Sequence, residues 1–308
     1  MNISLSDALS RGYGRMQKAL FKPFDIAKWF AVGFTAFLAG LLDKMYGGTG
    51  RANFELDNYH DFEEVVNFPS VAWDWLVNHP VYAYLILFGI VAVMGIVILL
   101  IWLSSRGKFA FLDNVVHDRA NVVLPWNEYA REGNSLFLWR LVYGFIIFFV
   151  ITGFLVLMYL GARTIYIHQY GKEVWIPALV GVIAVFLVVA IIVSYINLFL
   201  DSFVVPVMYK NRVAALKGWG IFLGLFNRHV LYFLLYGLFI FVLMIAVVIA
   251  VFLFGLFTCC LGFLLLIIPY ISSVLLLPVS YTYKALSLEF LRQFGPEYDV
   301  FPAMAEQQ

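Results

Sequence analysis

Two aspartates in matching contexts are the ionisable residues best placed to do chemistry. Asp113 follows Phe-Leu in the sequence FLDN, and Asp201 follows Phe-Leu in FLDS, each at the end of an apolar run. An ionisable group at membrane depth is by default a candidate for binding a substrate or an ion. At a helix start the same carboxylate caps backbone amides, and beside an arginine it forms an ion pair. We weigh capping or an arginine pair above a binding site for both residues.

Four further residues complete the candidate lipid- or substrate-binding site around this pair. Arg119 and Arg212 each stand seven residues before a tryptophan, so they occupy equivalent places and are the expected partners of the two aspartates. Asn197 precedes Asp201 by four residues, which is about one helical turn. Pro269 interrupts the last apolar run close to two serines, and this predicts a kink or a small cavity.

The sequence carries no signature of a metal, cofactor or catalytic site. The five histidines are scattered without i, i+4 spacing, and there is no His-Glu-x-x-His motif. Neither a Gly-x-x-x-x-Gly-Lys-Ser/Thr phosphate loop nor a Gly-x-Ser-x-Gly elbow occurs. The adjacent Cys259 and Cys260 suit two buried thiols, because a disulfide between neighbours is strained. We therefore predict no metal, no cofactor and no catalytic residue, and we expect a protein that is not an enzyme.

Tryptophans mark the ends of the apolar runs. Trp126, Trp139 and Trp219 all lie at such positions. Indole rings concentrate at the membrane–water boundary, where one edge is apolar and the other is polar. We predict that these three residues are interfacial anchors.

The composition excludes a soluble domain. Of the 308 residues, 63% are hydrophobic and 13% are charged, and the mean hydropathy is +0.91. Soluble domains are about half apolar and about a quarter charged. The net charge of +1 gives no reason to expect a nucleic-acid partner. A membrane-spanning helix needs about 20 apolar residues, and we predict six such spans, at about 27–46, 81–103, 137–161, 175–200, 230–254 and 262–284.

The distribution of Lys and Arg orients these spans. Sixteen of the 20 fall on the side that holds both termini, and four fall on the other side. Because loops on the cytoplasmic side are enriched in Lys and Arg, we predict cytoplasmic termini in a bacterial inner membrane. The acidic stretch 47–80 is then an exterior loop. The predicted cytoplasmic parts are amphipathic segments at 1–26, 104–136 and 201–229 and a tail at 285–308.

Short repeated motifs divide this single membrane domain into three units. FLDN at 111–114 matches FLDS at 199–202, and PVMY at 206–209 matches PVSY at 278–281. The N-terminal segment before the first span is a looser copy. The matched motifs fall at the same ends of even-numbered spans, so the repeats are parallel, as in some transporters. We predict an all-α integral membrane protein with six transmembrane helices, built as three parallel repeats of an amphipathic interfacial helix plus a transmembrane hairpin.

Three stretches carry a family resemblance. Lys22-Pro-Phe24, FLDNVV at 111–116 and NEYAREGNSLFLWRL at 127–141 together resemble an uncharacterised bacterial family of polytopic membrane proteins. That family is similar to the membrane domain attached to some glycerophosphoryl diester phosphodiesterases. The acidic and histidine residues of the phosphodiesterase barrel have no counterpart in this chain. The resemblance therefore implies a membrane-embedded helper or a lipid-associated module.

These observations support three hypotheses about function. The first is a non-enzymatic membrane module that interacts with lipids or a protein partner, including a second copy of the chain, at the cytoplasmic leaflet. The second is a transporter or flippase of a lipid or apolar amphiphile, which a polar cavity between the repeats would favour. The third, held at low weight, is an enzyme acting on phospholipid headgroups through Asp113 or Asp201.

Overall fold

A computed structural model gives the structure of the protein and describes residues 3–41, 59–167, 172–258 and 261–301. Every regular element among these residues is a helix, which confirms the predicted all-α class. The helices are α1 (Leu5–Phe21), α2 (Ile26–Ala39), α3 (Tyr59–Asn78), α4 (Pro80–His117), α5 (Val123–Glu128), α6 (Ala130–Ile167), α7 (Lys172–Phe199), a π-helical turn (Leu200–Val204), α8 (Val205–Asn211), α9 (Ala215–Arg228), α10 (Val230–Phe257), α11 (Leu261–Ile267), α12 (Pro269–Leu275), α13 (Leu277–Arg292) and a 3₁₀ turn (Pro296–Tyr298).

Four helical stretches are long and apolar enough to cross a membrane. They are α4, α6 as far as Thr164, α7 from Ile176 through to Asn211, and α10. The pair α12 and α13 adds a fifth if the two helices, bent by 63°, form one span. Helix α2 has 14 residues and is therefore about 21 Å long, against about 30 Å for a bilayer core. The structure supports a multi-pass membrane protein with four or five such helices, whereas the prediction had six.

The predicted exterior loop 47–80 contains a helix. Helix α3 occupies 59–78, and residues 47–58 lie outside the described part of the chain. The apolar residues Phe68, Val71 and Trp75 recur at helical spacing. That periodicity is the signal for α3, and the glycines and acids before it had suggested a loop.

Two helices continue past their predicted ends. Helix α4 runs to His117 instead of ending near 103, and the helix begun by α7 runs through the π turn to Asn211 instead of ending near 200. Both ends were predicted where charged residues follow the apolar run. The segments stay helical because 104–116 and 199–209 are almost completely buried, and their charged side chains find partners there.

The chain divides into two compact units. The first comprises residues 1–44, 101–139 and 194–308, and the second comprises 45–100 and 140–193. In the second unit the apolar side chains of the long helices are exposed, and no residue of the most apolar stretch of α4 or α6 is buried. Long exposed helices of this kind are stable in lipid, where the backbone hydrogen bonds are satisfied within each helix.

Three buried helical segments form the core of the first unit. They are 104–116 of α4, 199–209 of the π turn and its flanking helices, and 285–291 of α13. Aromatic rings pack beside them at centroid distances of 5.0 to 5.8 Å, and offset or edge-on ring pairs of this kind each contribute about 0.5–1.5 kcal/mol beyond their buried area. The fully buried rings are Phe109, Phe203, Phe222, Phe233, Tyr236 and Phe290.

Helix α1 packs against α13 and so joins the two ends of the chain. A Cβ atom added at Gly12 would lie 2.8 Å from the backbone nitrogen of Leu286, so the two helix backbones approach closely. Gln293 accepts a hydrogen bond from the backbone N–H of Ser4 and donates one to its carbonyl, at 2.7 and 3.0 Å. Glycine at position 12, which weakens the helix prediction, is therefore required by packing.

Helices α4 and α8 end in the same way. The residues that follow them, Asp118 and Arg212, both have left-handed backbone angles, with φ of 51° and 54°. In each case the chain turns there and enters the next short helix, α5 or α9. The FLDN and FLDS regions are thus both followed by a left-handed turn, at places that differ by one position when Arg119 is aligned with Arg212.

Candidate functional site

Asp113 lies at the centre of a buried polar cluster. Its side chain is fully buried inside α4, so it does not cap a helix. Arg119 donates to Oδ2 through Nε and Nη2, at 2.9 and 2.7 Å. Tyr209 donates to Oδ1 at 2.8 Å, and Nδ1 of His117 lies 3.1 Å from the same oxygen. The expected ion pair of Asp113 with Arg119 is confirmed, and the capping role is not found.

The carboxylate of Asp113 also fixes the charge of its partner. Burial lowers the pKa of Arg119, but the hydrogen bond and the negative charge of Asp113 more than offset this effect. The pKa of Arg119 is therefore raised above its ordinary value, and the guanidinium remains charged at every physiological pH.

A stack of aromatic rings connects this cluster to the second left-handed turn. The rings of Tyr209 and Tyr129 are stacked at 4.5 Å, and the guanidinium of Arg212 lies 3.9 Å from the centre of the Tyr129 ring. Burial raises the pKa of Tyr129, which keeps its hydroxyl protonated. Arg212 donates to the backbone carbonyl of Glu128 at 3.1 Å and pairs with the Glu128 carboxylate. The expected pairing of Arg212 with Asp201 is therefore wrong.

Asp201 lies in the π-helical turn and bonds to two lysines. Nζ of Lys108 lies 2.5 Å from Oδ2 of Asp201, and Nζ of Lys284 donates to the backbone carbonyl of Asp201 at 2.7 Å. Lys108 is almost fully buried, while the Asp201 carboxylate is about one third exposed. These contacts join the three core segments, because the three residues lie on α4, the π turn and α13.

Glu289 is a third paired acid and, like Asp113, is fully buried; the motifs described above do not single it out. Its carboxylate is 1% exposed and lies 2.5 Å from Nε of Arg15 on α1. Arg292 lies 3.8 Å from its second oxygen and also pairs with Asp299 at 3.0 Å. The Arg15 guanidinium is covered by the ring of Phe301, 3.5 Å away.

A regular spacing in the sequence indicates all three acids. Asp113, Asp201 and Glu289 each follow a leucine and are separated by 88 residues in both intervals. Lys108 precedes Asp113 by five residues, and Lys284 precedes Glu289 by five residues. The PVSY motif at 278–281, which defines the third unit in the sequence, has no acid at the matching place.

The carboxylate of each of these three acids is paired with a basic side chain of the first unit. Removing one member of a buried ion pair costs about 3–5 kcal/mol, while the intact pair contributes little relative to apolar residues. Such pairs fix which segments lie together. Among the described residues, no group of three or more His, Cys, Asp or Glu side chains could hold a metal ion.

The remaining candidate residues, Asn197 and Pro269, do not take part in these charge pairs. Asn197 is exposed, one turn before Asp201. Pro269 is the first residue of α12, and its carbonyl accepts hydrogen bonds from the hydroxyls of Ser272 and Ser273 at 2.8 and 3.1 Å. The predicted interruption of the last apolar run is confirmed, since α11 ends at Ile267 and α12 begins at Pro269.

An apolar cleft of about 280 Å³ lies beside this interruption. Helix α10 forms one wall, and α11 to α13 form the other. No charged side chain lines the cleft; its residues are Val247, Ala250, Val251, Phe254, Gly262, Leu266, Leu275, Leu276 and Val279. An apolar chain fits this lining better than a polar solute does.

The three predicted anchor tryptophans are all half-buried and paired with a second indole. Trp139 and Trp219 stack on each other with centroids 5.4 Å apart. Trp126 meets Trp102 edge-on at 5.8 Å, and Arg106 lies over both rings. The rings thus connect helices within the first unit, and their position in a membrane stays a prediction.

Comparison with known proteins identifies a family and no function. No curated protein and no solved structure matches the chain. The comparisons show no similarity to glycerophosphoryl diester phosphodiesterases. The model of a family of unknown function, DUF7544, matches residues 4–294, nearly the whole length, so the chain belongs to that family.

Proposed function

We propose that this protein is a non-enzymatic, multi-pass membrane module that interacts with lipids or with a protein partner at the cytoplasmic leaflet. The observation that carries the proposal is the internal pairing of three acids, Asp113 with Arg119, Asp201 with Lys108 and Glu289 with Arg15. A catalytic site needs charged or polar groups directed towards a substrate. Here the charged groups are used to hold helices together.

The proposed topology has six spans with both termini in the cytoplasm of a bacterium. It is supported by the distribution of Lys and Arg, sixteen against four, and by the four or five helices of spanning length. In this topology the first span, at about 27–46, contains α2, and the broken α11 to α13 stretch belongs to the last.

Three parallel repeats are part of the same proposal. The 88-residue spacing of the buried acids supports them, and so do the matching left-handed turns at Asp118 and Arg212. In each repeat a short helix, α1, α5 or α9, precedes an apolar helix. We propose that these short helices are amphipathic and lie in the cytoplasmic interface.

The proposal is tested by extracting the full chain together with its surrounding membrane in polymer discs and identifying what is retained. We expect a selected set of lipids or a co-purifying protein. The purified chain in liposomes should release no phosphorylated headgroup from any phospholipid. Headgroup release that is lost in Asp113→Asn would contradict the proposal and favour the enzyme hypothesis.

The cleft is apolar, unlike the polar cavity that we expected for a transporter, and an apolar lining restricts the second candidate to a transporter of a lipid or another apolar amphiphile. Its lining and its place beside the break at Pro269 would suit an acyl chain. Ala250→Trp fills the cleft without changing charge. If the protein moves fluorescent phospholipids between leaflets of a liposome, this variant should slow the movement at least tenfold, and Gly89→Trp in the exposed part of α4 should not. If the wild type moves no lipid between the leaflets, the transporter is excluded and the non-enzymatic module is the remaining candidate.

A further inference from the structure

The outer face of α1 and the turn after it carry three exposed basic side chains. Arg11, Lys18 and Lys22 lie on this surface, and none of them forms an ion pair with another described residue. Two acids lie nearby, Asp7 and Asp25. The Asp25 carboxylate accepts hydrogen bonds from two backbone amides at the start of α2, at 2.8 and 3.3 Å. The surface is therefore positively charged around Lys18 and Lys22, away from Asp7.

Exposed apolar side chains begin where the basic ones end. Phe21, Phe24 and Ile26 are 45%, 60% and 63% exposed, and they surround the turn that contains Lys22. The exposed line then continues along α2 through Phe30 and Phe34, each four residues further. Trp29 holds the turn in place: its Nε1 donates to the carbonyl of Leu20 at 2.8 Å, and its ring packs between Phe21 and Phe24.

We propose that this surface, residues Lys18, Lys22, Phe21, Phe24 and Ile26, binds anionic phospholipids. The inference rests on the proposed function and names the lipid class and the place. The basic side chains match an anionic headgroup, and the aromatic and aliphatic side chains match the acyl chains directly below it. The surface runs without a break into an apolar helix, so the occupant is a bilayer lipid.

The second exposed short helix provides a matched comparison. Helix α9 also exposes apolar side chains, with Leu216 at 77%, and carries Lys217 and Arg228. Its two bases are eleven residues apart, whereas Lys18 and Lys22 are four apart and lie beside the aromatic turn. A headgroup can contact the first pair together and cannot reach both members of the second.

The test is a lipid titration of delipidated, detergent-solubilised full-length protein, with bound lipid counted by native mass spectrometry. Phosphatidylglycerol and phosphatidylcholine are the probes, and the proteins are wild type, Lys18→Gln/Lys22→Gln and Lys217→Gln/Arg228→Gln. Each lysine near an anionic surface contributes a factor of about five. We expect the first double variant to raise the dissociation constant for phosphatidylglycerol roughly 30-fold, and to remove most of its salt dependence. The second double variant should bind as wild type does.

The other outcomes separate this inference from the proposed function. Equal losses in both double variants would overturn a site on α1 and indicate general attraction to basic residues. Equal wild-type affinity for the two lipids would overturn the anionic preference and leave a lipid-interacting module standing. Failure of the wild type to bind either lipid would overturn the inference and the lipid part of the proposed function together. The melting temperatures of all three proteins should agree, since the four bases are exposed.

Discussion

Asp113 has three polar partners, and each partner has a different physical role. Arg119 neutralises the carboxylate, Tyr209 ties it to α8, and His117 lies one helical turn further along α4. With these contacts both carboxylate oxygens have partners inside the protein. The cluster is therefore explained by stability and by the choice of neighbouring helix, without a ligand.

The substitution Asp113→Asn should destabilise the protein. It leaves the Arg119 guanidinium without its counter-charge, which costs about 3–5 kcal/mol for a fully buried pair. Because the Arg119 side chain is 34% exposed, we expect a smaller loss, about 2 kcal/mol. The measurement is denaturant unfolding in detergent, followed by tryptophan fluorescence.

Asp118→Asn is the matched control for this substitution. Asp118 is more than half exposed, pairs with Lys28 at 2.9 Å and has a left-handed backbone that asparagine also adopts readily. Exposed pairs contribute up to about 1 kcal/mol, so this variant should unfold close to wild type. A loss at position 118 as large as that at position 113 would contradict the structural role of the buried pair.

Two substitutions of Arg212 test whether the backbone is strained at the second left-handed turn. Both Arg212→Gly and Arg212→Ala remove the contacts with Glu128 and with the Tyr129 ring. Only alanine keeps a Cβ atom in the left-handed conformation, at a cost of about 1 kcal/mol relative to glycine. The glycine variant should therefore be the more stable of the two in thermal unfolding. The reverse order would show that the left-handed turn is not present in the protein.

At the scale of the helices, four of the six spans that hydropathy predicts are helices of spanning length, and the predicted ends of these helices are poor. Apolar runs of 20 or more residues at α4, α6, α7 and α10 have no stable alternative to a helix in a membrane. Their ends were placed at the first charged residues. Lys108 and Asp201 lie inside helices because they neutralise each other across 93 positions of the chain, a distance over which local patterns carry no information.

The contrast between the two aspartates shows where sequence reasoning succeeds and where it fails. The pair Asp113 and Arg119 is six residues apart and follows from local spacing. The corresponding pair of Asp201 and Arg212 does not form, because the second copy has five extra residues and a π-helical turn at Leu200–Val204. An insertion of this kind shifts side chains around the helix. Glu289 was missed because no Phe-Leu precedes it.

The contact of α1 with α13 gives a prediction at this scale. In Gly12→Ala the added methyl group meets the backbone of Leu286, so the helices must separate, and we expect a loss of about 1–3 kcal/mol. Gly14 has open space around it on the same helix, and Gly14→Ala should be neutral or stabilising by up to about 1 kcal/mol. Hydrogen exchange of α1 amides compares the two; faster exchange in Gly14→Ala than in Gly12→Ala would contradict the packing.

At the scale of the whole molecule, the distribution of Lys and Arg supports the proposed orientation of the chain in the membrane. With Cys259 and Cys260 replaced by serine, single cysteines at Lys217 and Arg163 should label from opposite sides of the membrane. A membrane-impermeant maleimide applied to intact spheroplasts should label the Arg163→Cys protein and not the Lys217→Cys protein. Labelling of both, or of Lys217→Cys alone, would contradict the proposed orientation.

The central claim is that the internal charge pairs stabilise the fold, and that the protein binds lipids or a partner protein through its surface. Native mass spectrometry of wild type beside Asp113→Asn/Asp201→Asn, both extracted with their surrounding membrane, tests it most directly. The account predicts that the wild type retains selected lipids or a partner protein, and that the folded fraction of the double variant, although less stable, retains the same set. A lipid that the wild type holds and the folded double variant loses would contradict the account and make this pair a binding site.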